Sequence, residues 1–432
     1  MVSILIASAL ISFFILASII PHLFVNAQQK FAETEFQEEG KPKIVDSKLN
    51  IKTIAEGLTT PTTMAFVGQN DILVLEKDTG MIKRIVNGKV LPKPVLDVNV
   101  ANSIERCMCG IAVSKHGSTT FVFVYYTEIN GKDGEDKSGK QPIGNRVYRY
   151  ELSGDSLINP LLLMDLPANP GPRHNGGNIM IGPDNNLYVG IGDVDGSFKV
   201  VSSTETKTQN YRNGIDPDGR AGILRITQDG QPTDRHGILG DSIPLRLYYA
   251  YGIRNTFGMD FDPVSGNLWD TENGPGNGDE INLVEPGFNS GWQQVQGMAS
   301  LEKTFSESDL EDFDGKGHYS DPELVWVNTA GPTALKFFNS AKLGTNYEND
   351  MFVGDVHNGR IYHFDLTQDR KDIILPTELS SRVIEKPSSP GVNNIVFGEG
   401  FGGITDLEVG PDGYLYVVSI GLGSIYQISL AP

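Results

Sequence analysis

The sequence predicts an all-β protein, a six-bladed β-propeller of four-stranded blades, on three observations. A loose repeat of short apolar runs recurs six times along the chain. Each run is rich in β-branched or aromatic residues and is bounded by Gly, Pro, Asn or Asp, the mark of short strands between turns. Helical periodicity is not sustained over any useful length. A single sheet of this kind cannot bury both faces, whereas a ring of them can, and propellers place about 4–8 four-stranded blades around a channel. A solenoid would repeat more regularly than this chain does.

Taken in order, residues 1–27 read as a signal peptide or N-terminal membrane anchor. Val2 to Val25 is apolar and almost uncharged, and Val25-Asn26-Ala27 is a small-residue cleavage pattern. No Lys or Arg precedes the run, and its length of about 20 residues would also span a bilayer. Either outcome places the globular part outside the cytoplasm, secreted or tethered at the outer face of the membrane. Residues 28–48, with Glu33, Glu35, Glu38 and Glu39, read as a polar linker. Residues 49–432 read as the propeller domain.

The first copy runs from Met64 through Asp71–Leu75 to Gly80–Ile85, and the second from Gly110 through Phe121–Tyr126 to Asn145–Tyr150. The third runs from Ile179 through Leu187–Gly190 to Gly222–Ile226, the fourth from Met259 through Asn267–Trp269 to Glu280–Val284. The fifth runs from Ala334 through Asp350–Gly354 to Gly359–Phe364, and the last from Leu407 through Tyr414–Val418 to Gly423–Ile428. A strand near Asn50–Ile54 is expected to complete the C-terminal blade and close the ring. Long connections at Gly131–Gly144, Asp193–Arg220 and Gln293–Tyr319 are candidates for a binding face.

The chain carries 49 Gly and 24 Pro in 432 residues, a turn-rich composition. Its net charge of −19 argues against nucleic-acid binding, which needs a basic face, and disfavours anionic membrane surfaces. Cys107 and Cys109 are the two cysteines. They exclude a disulfide framework, and read as buried small side chains, a strained i, i+2 bridge, or a soft copper site with Met108. Metalloprotease HExxH, hydrolase GxSxG, P-loop and GxGxxG motifs are absent from the sequence.

The polar stretch Tyr251–Trp292 has the densest set of groups able to converge on one site. Arg254 offers a planar fork to an oxyanion or carbonyl, or ties down a loop. Gly274-Pro275 followed by Asp279-Glu280 resembles a cation loop, since hard cations take carboxylate and backbone oxygens. Asp193-Val194-Asp195-Gly196 and Asp312-Phe313-Asp314-Gly315 hint at the same, or are ordinary turns. His174, among glycines at Pro172-Arg173-His174-Asn175-Gly176-Gly177, is a general base by pKa or a surface histidine in a turn.

With these residues in view, the chain resembles the glucose/sorbosone dehydrogenase family, the soluble glucose and aldose sugar dehydrogenases that use pyrroloquinoline quinone (PQQ). The shared pieces run in order: Gly57-Leu58 with Pro61, Glu105 to Ala112, and His174-Asn175-Gly176-Gly177 with Gly182-Pro183-Asp184 and Gly192-Asp193. Tyr251-Gly252-Ile253-Arg254-Asn255, Gly274-Pro275, Gly278 to Asn282, Asn289 with Gly291-Trp292, Asp321-Pro322 with Trp326, and Gly410-Pro411-Asp412-Gly413 follow.

The resemblance implies a six-bladed propeller that oxidises the anomeric CH–OH of an aldose sugar and passes electrons to an external acceptor. It implies His174 as the catalytic base and Arg254 as the group that polarises the quinone carbonyl. It implies Glu105, Asn255, His357 and Thr405 at cofactor-binding positions. Calcium is implied at the backbone oxygens of Gly274 and Pro275, and a second calcium at Glu280. The chain departs from the family where a lysine is usual, at His357, and where two arginines are usual, at Gly403-Ile404-Thr405-Asp406. Arg106, Arg173 and Arg360 are candidate substitutes. The expectation is therefore a secreted or membrane-tethered quinoprotein oxidoreductase using PQQ and Ca2+. The alternatives are a non-catalytic propeller that binds a saccharide or protein partner, and catalysis with another cofactor or substrate.

Overall fold

The structure, a computed structural model, describes residues 41–131, 141–194 and 205–432. The expected signal or anchor, residues 28–40 of the linker, and Asp195-Gly196 lie outside the described residues. Among the described residues no helix is long and apolar enough to cross a membrane, and the single α-helix is the four-residue Val392–Ile395.

The protein is all-β, with a propeller arrangement. Strands pair into six sheets, each begun by a hairpin whose first strand is innermost. The innermost strands are Pro61–Gly68, Met108–His116, Ile179–Ile181, Thr256–Phe261, Pro332–Phe337 and Ile404–Val409. Each packs against the next, and Ile404–Val409 packs against Pro61–Gly68, so the series returns on itself. Residues from all six line one narrow axial cavity, among them Thr63, Ile111, Asn178, Met259, Lys336 and Asp406.

The second strand of each hairpin lies between neighbouring sheets and is buried on both faces. This is why Asp71–Glu76, Leu187–Ile191, Met351–Asp355 and Leu415–Ser419 carry nearly continuous apolar runs instead of an alternating pattern. Apolar side chains fill the gaps between sheets. Trp269, Ile281 and Trp326 of one sheet meet Leu335, Phe337, Met351 and Tyr362 of the next in one cluster. The early strand Leu49–Ala55 pairs antiparallel with the last strand, Ser424–Leu430, so an N-terminal segment completes the C-terminal sheet.

Two expectations need correction. Uniform four-stranded blades are not seen: the sheets hold four to six strands. The additions are two-residue strands at edges, such as Phe288–Asn289 and His318–Tyr319 running parallel beside Tyr248–Tyr251, and Val383–Ile384 beside Leu324–Trp326. Long connections satisfy their own backbone groups by laying these pieces along an open sheet edge. The linker also ends before Leu49, because Lys43 and Ile44 pair with Glu399 and Gly398.

Cys107 and Cys109 are buried and paired with each other. A register shift between Met108 and Gly110 kinks the strand there, and the Cα atoms lie 5.3 Å apart, within the range that a bridge requires.

Candidate active site

Hairpin registers set the mouth of the ring. Pro61 lies opposite Glu76, Thr256 opposite Glu272, Pro332 opposite Asp355, and Ile404 opposite Ser419. The starts of the innermost strands and the ends of the second strands therefore share one face. Glu105, His174, Arg254 and Asn255 immediately precede innermost strands, and Asp193, Gly274, Pro275 and His357 immediately follow second strands.

The backbone draws three of these loops together. Asp193 N donates to Arg254 O at 2.9 Å, and Val194 N donates to His174 O at 3.3 Å. Gly192 sits at the crossing: a Cβ there would lie 2.5 Å from both carbonyl oxygens. His174 adopts φ 55°, a left-handed conformation that costs a non-glycine residue roughly 1–3 kcal/mol and tends to persist at functional positions.

His174 and Arg254 are both buried and lie in direct contact. An Arg254 terminal nitrogen donates to His174 Nε2 at 2.6 Å. Guanidinium has no acceptor, so Nε2 must present its lone pair, and the ring proton must sit on Nδ1. That proton faces Asp193 Oδ1 at 2.6 Å. Asp193 Oδ2 accepts from the Trp292 indole N–H at 2.8 Å, and the Arg254 guanidinium stacks 5.4 Å from the Trp292 ring centroid. Burial pushes the Asp193 carboxyl upward, but His174, Arg254 and Trp292 outweigh it and hold the group below the usual carboxylate range. Burial moves Arg254 the other way, below the ordinary arginine range, against the fields of Asp193, Glu105, Glu272 and Asp279.

Glu105 acts as a latch. One carboxylate oxygen accepts from His174 N at 2.6 Å and from Asn255 Nδ2 at 3.2 Å. Arg254 also donates to Asn273 O, beside Gly274. Three buried polar atoms around this group have no hydrogen-bond partner: Arg254 Nε, Asn255 Oδ1 and Asn175 Nδ2. Unpaired buried polar atoms are costly, and their clustering here suits a polar ligand.

The mouth continues to Gly274 and Pro275. Asp279 holds this turn, accepting from Gly274 N, Ala330 N and Gly331 N, each at 2.8 Å. The carbonyl oxygens of Gly274 and Pro275 accept no hydrogen bond among the described residues.

Glu280 lies on the neighbouring face of the same hairpin, opposite Glu272, while Asp270 lies opposite Asn282. All four side chains are buried. Ser290 Oγ bridges Glu272 and Glu280 at 2.6 and 3.2 Å, and Asn282 Nδ2 lies 3.2 Å from both Asp270 and Glu280. Burial, then the neighbouring carboxylates, pushes Glu280 well above its usual range and Glu272 up to about 8. Burial alone raises Asp270 to about 7. Asp270 Oδ2, Asn282 Oδ1 and Gln296 Oε1 have no partner. Three buried carboxylates, together with one orphaned carboxylate oxygen on Asp270 and two orphaned amide oxygens on Asn282 and Gln296, form a donor set suited to a hard divalent cation.

Among the described residues, His357 and Thr405 make no hydrogen bond to His174 or Arg254. His357 Nδ1 meets Thr329 O at 3.2 Å, and its ring packs over Gly331. The Thr405 hydroxyl donates to Pro61 O at 3.1 Å. Two candidate substitute cations are engaged elsewhere. Arg106 is buried and donates to Ala168 O, Gly171 O and Asn169. Arg360 faces Glu399 at 3.7 Å and donates to Pro387 O.

Trp292, Asp270 and Glu272 are not singled out as site residues by the sequence, and Asp193, read there as part of a cation turn, instead pairs with His174 and Trp292. Gly192-Asp193 was visible as a motif, but its pairing with His174 needs the fold. Glu272 was readable in principle, because alternation along two facing strands puts 270, 272, 280 and 282 on one side.

The fold is an all-β ring with a histidine–carboxylate pair and an arginine at its mouth. The profile described as Glucose / Sorbosone dehydrogenase matches residues 58–426, and the chain belongs to that family. It is 24% identical over 378 residues to the aldose sugar dehydrogenase of Escherichia coli, covering 86% of this chain and 90% of that one. It is 30% identical over 279 residues to quinoprotein glucose dehydrogenase B of Acinetobacter calcoaceticus, covering 62% of this chain and 57% of that one. The PQQ-bound aldose sugar dehydrogenase of Streptomyces coelicolor shares the fold, with a TM-score of 0.60 at 23% identity over 89% of this chain and 99% of that one.

Proposed function

We propose that this chain is a PQQ- and calcium-dependent dehydrogenase that oxidises the anomeric CH–OH of an aldose, with His174 as base and Arg254 as electrophilic partner. The observation that carries this reading is the Trp292–Asp193–His174 relay ending on Arg254. Family membership and the PQQ-bound relative support the cofactor class.

PQQ, when bound, would supply a quinone able to accept a hydride equivalent, with an external electron acceptor as its oxidant. The chain's own residues do the rest. His174 Nε2, once Arg254 turns from it to a carbonyl oxygen, takes the hydroxyl proton. Asp193 keeps the other ring proton on Nδ1 and stabilises the imidazolium that forms. Arg254 directs N–H groups at developing negative charge in a site dry enough for them to count. Glu105 fixes the His174 backbone and Asn255 relative to each other.

The orphaned atoms of Arg254, Asn255 and Asn175 suit the reacting end of the cofactor. The far end offers His357 and Thr405 in place of cations, so calcium at the free Gly274 and Pro275 carbonyls would balance the cofactor's charge. The second cation would sit among Asp270, Glu272 and Glu280. We also infer that the six sheets act as six blades, and that the domain is extracytoplasmic, which the apolar run Val2–Val25 supports.

One observation favours a second reading, a non-catalytic propeller that binds a saccharide or protein: the candidate substitute cations Arg106 and Arg360 are engaged with Gly171 O and Glu399. Reconstitution with calcium and PQQ, followed by dye reduction with a panel of aldoses, decides between them. Calcium-dependent PQQ binding and aldose turnover are expected. No PQQ binding and no turnover would overturn the dehydrogenase reading.

A further inference from the structure

We propose that Asp350, His363 and Asp365 form a site for a divalent transition-metal ion of the zinc class, on the rim of the fifth sheet away from the mouth. One atom from each side chain lies within 4.8 Å of the other two. His363 Nε2 stands 2.9 Å from Asp350 Oδ2 and 3.9 Å from Asp365 Oδ1.

The ladder creates this arrangement. Phe352 lies opposite His363, and Met351 opposite Phe364. One step further along the same hairpin puts Asp350 opposite Asp365. Like charges directly opposite in an antiparallel pair are destabilising. Among the described residues no Lys or Arg forms an ion pair with either carboxylate, and the only cation-forming neighbour is His363. A divalent cation held between the two carboxylates, with the imidazole nitrogen as a third ligand, would relieve that repulsion.

The ligand atoms are also held. Asp350 is buried, and its backbone is fixed by Phe338 N to Asp350 O at 2.9 Å and Asp350 N to Tyr347 O at 3.3 Å. The His363 ring is walled by Phe352 and Tyr347, at centroid distances of 5.0 and 5.2 Å. Packing thus keeps Nε2 aimed at the carboxylates. Asp365 is exposed, which leaves solvent-side coordination positions for water.

The donor set selects the ion. One imidazole nitrogen and two carboxylates, with no thiolate, suit zinc or its first-row neighbours. Calcium and magnesium prefer oxygen alone, as in the Asp270–Glu272–Glu280 group. The site ties the start of Met351–Asp355 to the end of Ile361–Phe364, at the opposite end of this hairpin from His357. Its occupancy therefore reads out as stability, and it stands apart from the sugar-dehydrogenase reading.

The test uses the full chain, stripped with chelator and then saturated with calcium to fill oxygen-only sites. Zinc chloride is titrated by equilibrium dialysis with elemental analysis, alongside thermal unfolding. The expected result is one zinc per chain with a raised Tm. Asp365→Asn, on the exposed side chain, and His363→Gln are each expected to weaken binding by about tenfold or more, with zinc-free circular dichroism confirming that both variants fold. No stoichiometric zinc on the wild-type chain would overturn the site. So would wild-type affinity in either variant. Calcium competing as well as zinc would overturn the assigned metal class.

Discussion

The proposed role of His174 as base depends on two neighbours that fix its protons. Arg254 can only donate and Asp193 Oδ1 faces the other ring nitrogen, so an unprotonated Nε2 follows from their chemistry. Asp193→Asn offers the ring an amide donor or a neutral acceptor in place of a carboxylate. The expected outcome is a fall in kcat with little change in KM. His174→Ala is expected to lower kcat by roughly 10²–10⁴-fold, the usual weight of a general base, in steady-state dye-reduction assays with wild-type PQQ affinity. Turnover undiminished by His174→Ala would reject the assigned base. At this scale the sequence was partly legible. His174 and Arg254 stand in motifs, but the Trp292–Asp193 contact joins positions far apart in the chain that meet only when the loops stack over Gly192.

Among elements, the hairpin Leu268–Glu272 and Asp279–Val284 does two jobs. Its turn presents Gly274 and Pro275 to the mouth, and one face buries Asp270, Glu272 and Glu280 together. Without a cation these groups hold protons. Their folded pKa values lie above the unfolded ones, so their contribution to stability is present below the unfolded range and is lost as pH rises through about 7 for Asp270 and about 8 for Glu272. Calcium binds the ionised forms, so it must displace protons at low pH and does not at high pH. Chelator is therefore expected to lower Tm more at pH 8 than at pH 5, and Glu272→Gln to abolish that difference; calorimetry with and without calcium checks both. Equal chelator effects at both pH values would remove the hairpin as a cation site. The main strands of this hairpin were readable from their apolar runs and turn residues. Two-residue edge strands such as Val383–Ile384 were not, because they are defined by a distant partner and carry no period of their own.

At the scale of the whole molecule, the ring is held by groups that no single sheet supplies. Lys336 lies in the axial cavity, 3.5 Å from Asp260 and 3.0 Å from Glu408, so one ammonium links three consecutive sheets. Asp406 adds a third carboxylate and accepts from Met64 N at 2.8 Å, joining the last sheet to the first. The repeat count and the closing N-terminal strand were visible in the sequence. This ionic axis was not, since Lys336, Asp260, Asp406 and Glu408 read locally as ordinary polar positions on alternating strands. Burial raises the carboxyls of Asp260, Asp406 and Glu408 above their usual range, against the pull of Lys336. Lys336→Met removes the counter-ion and leaves three acids in a low-dielectric channel. Removing one partner of a buried pair typically costs about 3–5 kcal/mol, and partial access along the axis places this case at the lower end. The sign with pH is fixed by the raised folded pKa values. The acids are tolerated when protonated, so the variant's deficit is small near pH 5 and grows as pH rises and the carboxyls ionise. Urea unfolding at pH 5 and pH 8 measures it, and a deficit that stays constant or shrinks toward pH 8 would show that Lys336 does not neutralise this axis.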